Sequence, residues 1–274
     1  MPNGKGYTVT IVNALMRLNG RRALITGACG GLGCVIAQTL AELGANLLLL
    51  DLNNSSLIDL AEKITTEWRV EVVTHSCDLE SQGDRNKLIG KLLQEGRLDI
   101  LINNAAFVGT SNLKGWGVPF ADQSIETWRR AFEVNLTAAF HLCQGLAPLL
   151  RVSGHGSIIN IGSIYGEYGP DWGLYKDTLM SNPAAYAASK GGLLQLTRWL
   201  ATTMAPEVRI NAISPGGIAR GQAQVFVERY EARTPLGRMA TEDDFRGAIA
   251  FLASDMSKYM TGQNLLIDGG WGVW

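Results

Sequence analysis

Short apolar segments alternate with amphipathic helical segments along most of the chain, and this alternation limits the possible folds more than any other feature. Leu47–Leu50 and Ile158–Ile161 are almost continuously apolar, as is typical of strands covered on both faces. Strands of this kind, each followed by a helix, predict an α/β fold. We expect a single Rossmann-type, doubly wound parallel β-sheet of about seven strands, flanked by helices.

The pattern assigns seven strands and six helices. The predicted strands are Arg22–Thr26, Asn46–Asp51, Val70–Ser76, Asp99–Asn103, Gly156–Ile161, Val208–Ile213 and Asn264–Ile267. The predicted helices are Leu32–Leu43, Ser56–Trp68, Ser81–Glu95, Ile125–Leu150, Ala184–Ala205 and Glu242–Ala253.

Three segments depart from this alternation: residues 1–17, Gly166–Pro183 and Gly216–Met239. Long irregular segments in compact domains are usually functional or mobile. No repeat or linker divides the rest of the chain. We therefore expect an N-terminal extension over 1–17 and one domain over 18–274.

A glycine-rich segment, Thr26–Gly33, follows the first predicted strand and opens the first predicted helix. Its glycines, Gly27, Gly31 and Gly33, are spaced as in a dinucleotide-binding turn with a wider first gap. Free N–H groups at such a turn bind a pyrophosphate. Glycines also occur in tight strand-to-helix connections without any ligand. The position of Asp51, 18 residues beyond Gly33 at the end of the next strand, favours the dinucleotide interpretation.

Asp51 also bears on which dinucleotide is bound. Its carboxylate can accept hydrogen bonds from the two hydroxyls of the adenosine ribose, and it would repel a 2′-phosphate. The following residues, Leu52, Asn53 and Asn54, carry no positive charge that would attract one. The sequence therefore predicts NAD(H) rather than NADP(H).

Polar residues follow the third and fourth predicted strands. Asp78 precedes Leu79, and Asn103 precedes Asn104. Ligands of open α/β sheets bind at the carboxyl ends of the strands, so these residues are candidates for the cofactor site. Asp78 is also a plausible cap of the next helix, and the asparagines are common turn residues. Taken one at a time, these residues fit the structural roles better.

Tyr186 and Lys190 stand four residues apart on a predicted helix, so both side chains lie on one face. A phenol has a pKa near 10, and a nearby cation lowers it by roughly 1–3 units. Lys190 is therefore expected to make Tyr186 a proton-transfer group near neutral pH. Ser163 ends the fifth strand and would donate a hydrogen bond to the reacting oxygen.

These motifs together resemble the short-chain dehydrogenases/reductases from about Leu18 to Trp271. The matching segments are Thr26–Gly33, Asp78-Leu79, Asn103-Asn104-Ala105, Glu133-Val134-Asn135, Ser163, Tyr186–Lys190, Ser214-Pro215-Gly216, Thr261-Gly262-Gln263 and Asp268-Gly269-Gly270. The resemblance implies that Asn135, Ser163, Tyr186 and Lys190 form a catalytic tetrad. In it, Asn135 would kink its helix and hold a water that links Lys190 to solvent.

The resemblance further implies a dinucleotide-binding and catalytic domain whose substrate is a small molecule. The expected cofactor residues are Gly27, Cys29, Gly31, Leu32, Gly33, Asp51, Asp78, Leu79, Asn104, Tyr186, Lys190, Pro215, Gly216 and Ile218. The expected assembly is a homotetramer (or homodimer) through the last strand and the two long helices, Ile125–Leu150 and Ala184–Ala205. The alternative for Trp271 and Trp274 is that both fold back onto their own subunit.

Two departures from the family pattern concern the substrate. Between Ser163 and Tyr186 there are 22 residues, where members of the family commonly have about a dozen, so the segment holds an insertion of about ten residues. Arg220 replaces a threonine that often contacts the cofactor. It is expected to bind an anionic substrate group or the pyrophosphate, or else to be a surface residue balanced by Glu228 or Glu231.

Ser163, Tyr165, Trp172 and Arg220 are the candidate substrate residues. Aromatic faces with hydrogen-bonding neighbours suit a polar, sugar-like or polyol ring. An equally favoured interpretation of the insertion is a surface elaboration or a subunit contact. The insertion also resembles the branch of the family associated with surface-sugar modification. The functional alternatives are a 3-oxoacyl thioester reductase and a catalytically silent NAD-binding regulator.

Composition argues against other classes of partner. The net charge of −1 and the isoelectric point near 6.3 give no reason to expect nucleic acid or an anionic membrane. No apolar segment has transmembrane length, and the N-terminus lacks a signal-peptide pattern. The cysteines and histidines do not have metal-ligand spacing. We expect a cytoplasmic protein with no metal site.

Overall fold

A computed structural model of the chain describes residues 11–108 and 111–274. The strands found in these residues are β1 (Arg22–Thr26), β2 (Asn46–Asp51), β3 (Val72–Ser76), β4 (Ile100–Asn103), β5 (Gly156–Ile161), β6 (Val208–Pro215) and β7 (Asn264–Ile267). They form one seven-stranded sheet in the order β3-β2-β1-β4-β5-β6-β7, and every neighbouring pair is parallel. The predicted doubly wound parallel sheet is confirmed.

The α-helices of the described residues are α1 (Ile11–Met16), α2 (Gly31–Glu42), α3 (Asn54–Trp68), α4 (Gln82–Glu95), α5 (Ile125–Phe132), α6 (Ala138–Val152), α7 (Ala184–Met204), α8 (Gln224–Arg233) and α9 (Arg246–Ala253). Residues 1–10 of the predicted extension lie outside the described residues, and α1 occupies most of the remainder. The domain boundary at residue 17 stays a prediction. No helix of the described part of the chain is both long and apolar enough to cross a bilayer.

Helices cover both faces of the sheet, which explains the continuously apolar strands. Along β2, Leu47 and Leu49 join the core formed with α2, α3 and α9, whereas Leu48 and Leu50 join the core formed with α4, α6 and α7. All four leucines are buried. Because successive side chains of a strand point to opposite faces, a strand between two helical layers must be apolar at every position.

Two predicted helices differ from the structure. The predicted helix Ile125–Leu150 is divided, because a π-helical turn at Glu133–Thr137 separates α5 from α6. The predicted helix Glu242–Ala253 begins as a 3₁₀ turn, Glu242–Phe245, before α9.

The structure also contains a helix, α8, that the sequence pattern did not predict. The helix buries only Phe226 and Tyr230, so its apolar periodicity was too sparse to recognise.

The end of β6 places further residues at the carboxyl edge of the sheet. β6 continues to Pro215, two residues beyond its predicted end, and Pro215 pairs with Ile267 of β7. Gly216 and Ile218 therefore follow directly from the edge where β1, β2 and β4 also end.

Candidate functional site

A cleft of about 1060 Å³ runs along this carboxyl edge. Its walls include Gly27, Cys29, Gly31, Leu32, Gly33, Asp51, Asp78, Leu79, Asn104, Tyr186, Lys190, Pro215, Gly216 and Ile218, which are all the residues predicted to bind the cofactor. Ser163, Tyr165 and Arg220 also line the cleft, whereas Asn135 and Trp172 do not. The volume is at the upper end of the range for ligand sites, which suits a dinucleotide and a second small molecule.

The glycine-rich turn forms the floor of the cleft at the N-terminus of α2. Gly27 has a φ of +64°, a conformation that favours glycine. A Cβ atom on Gly33 would lie 2.0 Å from the carbonyl oxygen of Gly27, so no side chain fits there. The turn therefore exposes main-chain N–H groups at the start of a helix, where an anion is stabilised.

Asp51 links the end of β2 to this turn. Its Oδ2 accepts a hydrogen bond from the main-chain N of Cys29 at 2.8 Å, and its Oδ1 accepts one from the main-chain N of Leu52 at 2.7 Å. Burial and then the negative charge of Asp51 raise the pKa of the Cys29 thiol to about 11. Cys29 therefore stays a neutral thiol, and Asp51 places a carboxylate in the cleft wall.

Asn104 has a structural function in the glycine-rich turn. Its Nδ2 donates to the carbonyl oxygens of Thr26 and Gly27, each at 3.0 Å. These bonds fix the turn against the end of β4. The alternative role of Asp78 as a helix cap is wrong, because Ser81 caps α4 while Asp78 accepts from the main-chain N of Glu80 within a tight turn.

Ser163, Tyr186 and Lys190 meet where β5 and α7 come together. Lys190 is buried, and its Nζ donates to the carbonyl oxygen of Ile161 at 2.6 Å. Burial lowers the pKa of Lys190 to about 8. The ammonium lies 5.9 Å from the centroid of the Tyr186 ring.

The pKa of Tyr186 shifts in the direction opposite to the one expected from its spacing to Lys190. Burial raises this pKa, although the hydrogen bond with Ser163 and the positive charge of Arg220 oppose the shift. The phenol therefore stays protonated at neutral pH, which suits a group that donates a proton to a carbonyl oxygen.

Asn135 lies in the π-helical turn that interrupts the predicted long helix. Its Oδ1 accepts from the main-chain N of Phe107 at 2.8 Å, and its Nδ2 donates to the carbonyl oxygen of Phe107 and to Ser189 Oγ. Asn135 therefore connects the loop after β4 to α7 beside Lys190. A π-helical turn thus interrupts the helix at the residue expected to kink it.

The insertion folds over the far end of the cleft. Tyr165 and Tyr175 line the cleft, and their hydroxyls are 2.6 Å apart. Trp172, a predicted substrate residue, is 58% exposed and packs its ring on Tyr175 outside the cleft. The structure thus brings Tyr165 to the site but not Trp172.

α8 forms the opposite wall, and an ion pair and a hydrogen bond join it to the insertion. Arg233 pairs with Asp171, and Arg229 donates to the carbonyl oxygen of Lys176. Phe226 and Tyr230 of α8 line the cleft. Sequence reasoning missed these two residues, because no local motif marks them.

Arg220 lies beside the glycine-rich turn and is not an isolated surface residue. Its Nε donates to Glu242 Oε1 at 2.9 Å. The predicted alternative partners, Glu228 and Glu231, are not the ones observed. A Cβ atom on Gly31 would lie 2.7 Å from Glu242 Oε1 and 3.5 Å from Arg220 Nη2. The guanidinium therefore lies beside the turn, and its positive charge opposes the rise that burial causes in the pKa of Tyr186.

The two C-terminal tryptophans behave differently. Trp271 is 2% exposed, stacks on Tyr230 at 6.1 Å and lies 4.4 Å under the Arg233 guanidinium. Trp274 is 71% exposed, although its indole N–H donates to the carbonyl oxygen of Arg233 at 3.1 Å. The alternative of folding back onto the same subunit thus holds for Trp271, whereas Trp274 leaves most of its ring exposed.

Comparison with known proteins relates this site to a large group of oxidoreductases. The family model described as "Enoyl-(Acyl carrier protein) reductase" matches residues 27–272. The chain is 36% identical to trans-4-hydroxycyclohexanecarboxylate dehydrogenase of Sinomonas cyclohexanicum, over 90% of this chain and 91% of that protein. It is 28% identical to post-translational flagellin modification protein A of Campylobacter coli, over 93% of this chain and all of that protein.

Solved structures show the same relationship. A short-chain type dehydrogenase/reductase from Mycobacterium marinum superposes with a TM-score of 0.82 at 29% identity, over 96% of this chain and 99% of that one. A putative NAD(P)-dependent gluconate 5-dehydrogenase from Beutenbergia cavernae, with bound NADP, superposes with a TM-score of 0.84 at 31% identity, over 95% of this chain and all of that one.

Proposed function

Because the chain belongs to the short-chain dehydrogenase/reductase family, we propose that it is an NAD(H)-dependent enzyme that interconverts a secondary alcohol and a ketone by hydride transfer. The observation that carries the proposal is the meeting of Ser163, Tyr186 and Lys190 in the same cleft as the glycine-rich turn. A proton-transfer group beside a dinucleotide site is the arrangement that carbonyl reduction requires.

In the proposed mechanism, Tyr186 donates its phenol proton to the carbonyl oxygen during reduction. Ser163, which hydrogen-bonds the phenol, holds that oxygen in position. A nicotinamide cofactor held in the cleft would supply the hydride-transfer chemistry. Lys190, oriented by the carbonyl oxygen of Ile161, would hold the ribose of that cofactor. Asn135 keeps α7 in place through Ser189 and would support a water that returns a proton to the site.

Asp51 is the basis for proposing NAD(H). Its carboxylate stands in the cleft wall at the end of β2, and two main-chain N–H groups hold it. A 2′-phosphate at that position would meet a negative charge. Leu52, the next residue, supplies no compensating cation. Since a similar structure contains NADP, the preference needs a direct test.

For the substrate we propose a polar ring compound of the sugar-like or polyol type. The hydroxyls of Tyr165 and Tyr175 support this, because they place hydrogen-bonding groups between aromatic faces. Relatives named for a hydroxycyclohexanecarboxylate, for gluconate and for flagellin modification are consistent with it.

A 3-oxoacyl thioester reductase is the second candidate, and a relative of that name, the 3-oxoacyl-[acyl-carrier-protein] reductase of Thermotoga maritima, favours it at 32% identity over 93% of this chain and 99% of that protein. Such enzymes generally use NADPH, so Asp51 counts against this activity. A catalytically silent NAD-binding regulator is a third possibility. The presence of Asn135, Ser163, Tyr186 and Lys190 counts against that role.

A turnover assay separates these candidates. Purified protein is incubated with NADH and a panel of ring ketones, keto-sugars and a 3-oxoacyl thioester, and NADH oxidation is followed. The proposal predicts the highest kcat/KM for a ring ketone or keto-sugar. Preferential reduction of the thioester would establish the second candidate, and NADH binding without turnover on any substrate would favour the regulator.

We also propose a homotetramer (or homodimer). Trp128 of α5, Phe140 of α6, Trp199 of α7 and Leu266 of β7 are exposed on the elements expected to meet symmetry mates, and exposed apolar side chains of this size are typical of interfaces. Light scattering at micromolar concentration tests this, and a monomer would contradict it.

A further inference from the structure

A polar cluster lies in the substrate end of the cleft, and it takes no part in the proposed transfer of hydride and proton. The hydroxyls of Tyr165 and Tyr175 are 2.6 Å apart. Asn182, one residue before the N-cap of α7, hydrogen-bonds both phenols. All three residues line the cleft, and only 6% of the Asn182 surface is exposed. A buried amide and two phenols arranged in this way form a defined hydrogen-bonding site.

The surroundings of this cluster are apolar. The neighbouring cleft residues Ile164, Phe226, Tyr230 and Met239 are buried members of one hydrophobic cluster. The Tyr175 ring packs on Phe226 at 5.3 Å. Polar groups in such surroundings are costly to leave without partners. A ligand must therefore present a polar atom at the cluster and carbon elsewhere.

The two phenols act as hydrogen-bond donors and not as bases. Burial raises the pKa of Tyr165 and of Tyr175, so both stay protonated across the physiological range. Asn182 lowers the pKa of each, as an N–H donor to a phenol oxygen does. The pair holds two hydroxyl hydrogens, and only one lies between the two oxygens. The other is available to an acceptor in the cleft.

The cluster is close to the reacting group. Tyr175 lines the same cleft as Tyr186 and Ser163. Tyr165 follows Ser163 by two residues, and its main-chain N donates to Ser163 Oγ at 3.2 Å. Because these side chains line one cleft, we expect a small ring whose carbonyl lies at Tyr186 and Ser163 to reach the cluster with its opposite side.

We propose that Tyr165, Tyr175 and Asn182 bind a second oxygen atom of the substrate, across the ring from the carbonyl or alcohol that reacts. The inference rests on the proposed oxidoreductase function and narrows its substrate class. The preferred substrate is an alicyclic ring with one further hydroxyl or carbonyl oxygen. An acyl chain would leave the remaining phenol hydrogen without an acceptor. A ring hydroxylated at every carbon would place hydroxyls against Ile164, Phe226 and Met239. Among the polar ring compounds proposed above, the inference therefore favours rings with few hydroxyls over fully hydroxylated sugars.

The experiment compares two ketones that differ only in this oxygen. The kcat/KM for 4-hydroxycyclohexanone and for cyclohexanone is measured with NADH for the unmodified enzyme and for Tyr175→Phe. Tyr175→Phe removes one hydroxyl and keeps the ring on Phe226. The matched control is Tyr168→Phe, because Tyr168 belongs to the same insertion and packs on Trp271 at 6.2 Å without lining the cleft.

The unmodified enzyme is expected to prefer the hydroxylated ketone at least tenfold. Tyr175→Phe should lower that preference at least tenfold, mainly through KM, and Tyr168→Phe should leave it unchanged. If Tyr175→Phe reduces both activities by the same factor, the tyrosine only supports the fold of the insertion and the inference is wrong.

Asn182→Ala provides a second test with the same expected loss of preference. The enzyme could oxidise NADH with acyclic or fully hydroxylated ketones but with neither 4-hydroxycyclohexanone nor cyclohexanone. In that case this inference is wrong and the proposed oxidoreductase function still stands. If the enzyme turns over no carbonyl compound at all, the proposed function fails with this inference.

Discussion

The two ends of the cleft are built from different parts of the polypeptide. At the cofactor end, the wall is main chain from the ends of neighbouring strands, held by Asn104 on Gly27 and by Asp51 on Cys29. At the substrate end, the wall consists of side chains from the insertion and α8, and Trp271 packs in the hydrophobic cluster that these side chains form. One end is thus part of the sheet, and the other is a set of segments packed on it.

The contacts that hold these two ends differ in strength. The glycine-rich turn lies on a buried sheet, and its hydrogen bonds form within one compact layer. The Arg233–Asp171 ion pair that joins α8 to the insertion leaves about a third of each side chain exposed, and exposed pairs typically contribute about 0–1 kcal/mol. We therefore expect the substrate end to open more readily than the cofactor end.

The largest effect is expected at the junction of the two ends. Tyr186→Phe should reduce kcat by about 10²–10⁴-fold, since it removes the proton donor, while the Kd for NADH changes little. Lys190→Ala should lower kcat and also raise the Kd for NADH, because Lys190 is expected to hold the ribose of the cofactor as well. Steady-state kinetics and a fluorescence titration of NADH measure the two effects. A Tyr186→Phe enzyme that keeps most of its kcat would refute the assignment.

Gly33→Ala should distort the glycine-rich turn at the cofactor end and leave the substrate end unchanged. The added Cβ would lie 2.0 Å from the carbonyl oxygen of Gly27, so the turn must shift, and NADH binding should weaken at least tenfold, or about 1.4 kcal/mol. Gly90→Ala is the matched control, because Gly90 lies in the middle of α4 with open space around its Cβ position. It should leave NADH binding unchanged and slightly stabilise the fold. Equal NADH affinities for both variants would show that the turn does not contact the cofactor.

A double substitution tests the specificity of the same end. Asp51→Ala with Leu52→Arg removes the carboxylate and adds a cation where a 2′-phosphate would lie. The ratio of the Kd values for NADPH and NADH should shift toward NADPH by about tenfold or more, the scale of one charge-assisted contact. Tighter binding of NADPH than of NADH by the unmodified protein would contradict the role given to Asp51.

Arg220→Ala tests the residue that lies between the two ends. Loss of the guanidinium beside Gly31 should raise the KM for substrate or the Kd for NADH about tenfold. Arg151→Ala is the control, since Arg151 pairs with Glu207 at the opposite edge of the sheet. If both constants stay the same in Arg220→Ala, the arginine only pairs with Glu242.

The smallest effect is expected from the contact between the insertion and α8. Asp171→Asn weakens a partly exposed ion pair with Arg233. The KM for substrate should therefore rise by about two- to fivefold, which lies within the roughly 1 kcal/mol that such ion pairs contribute. NADH binding should be unchanged. A loss of NADH affinity in this variant would show that the two ends are not separate.

The contrast between the ends also explains what the sequence could predict. Gly27, Gly31 and Gly33 lie within one turn, and Asp51 follows one strand later, so a local motif identified the cofactor end. The sheet was predictable for the same reason, because the apolar pattern of each strand is local.

The substrate end depends on contacts between distant segments. Asn182 reaches Tyr165 only after the insertion folds, and Arg233 meets Asp171 across 62 residues. The π-helical turn at Asn135 is bound to the main chain of Phe107, 28 residues away, and nothing in the local sequence distinguishes it from an α-helix. Local patterns carry no information about such contacts, so Trp172 was assigned to the site and Asn182 was not.

The transfer of deuterium from NADH that carries deuterium at both C4 positions tests the central claim most directly. The enzyme is incubated with this cofactor and a ring ketone, and the product alcohol is analysed by mass spectrometry. The account predicts one deuterium on the carbinol carbon, with an unchanged amount of labelled product from Tyr168→Phe and an amount at least about a hundredfold lower from Tyr186→Phe. Product without deuterium, or an equal amount of labelled product from the Tyr186→Phe enzyme, would contradict it.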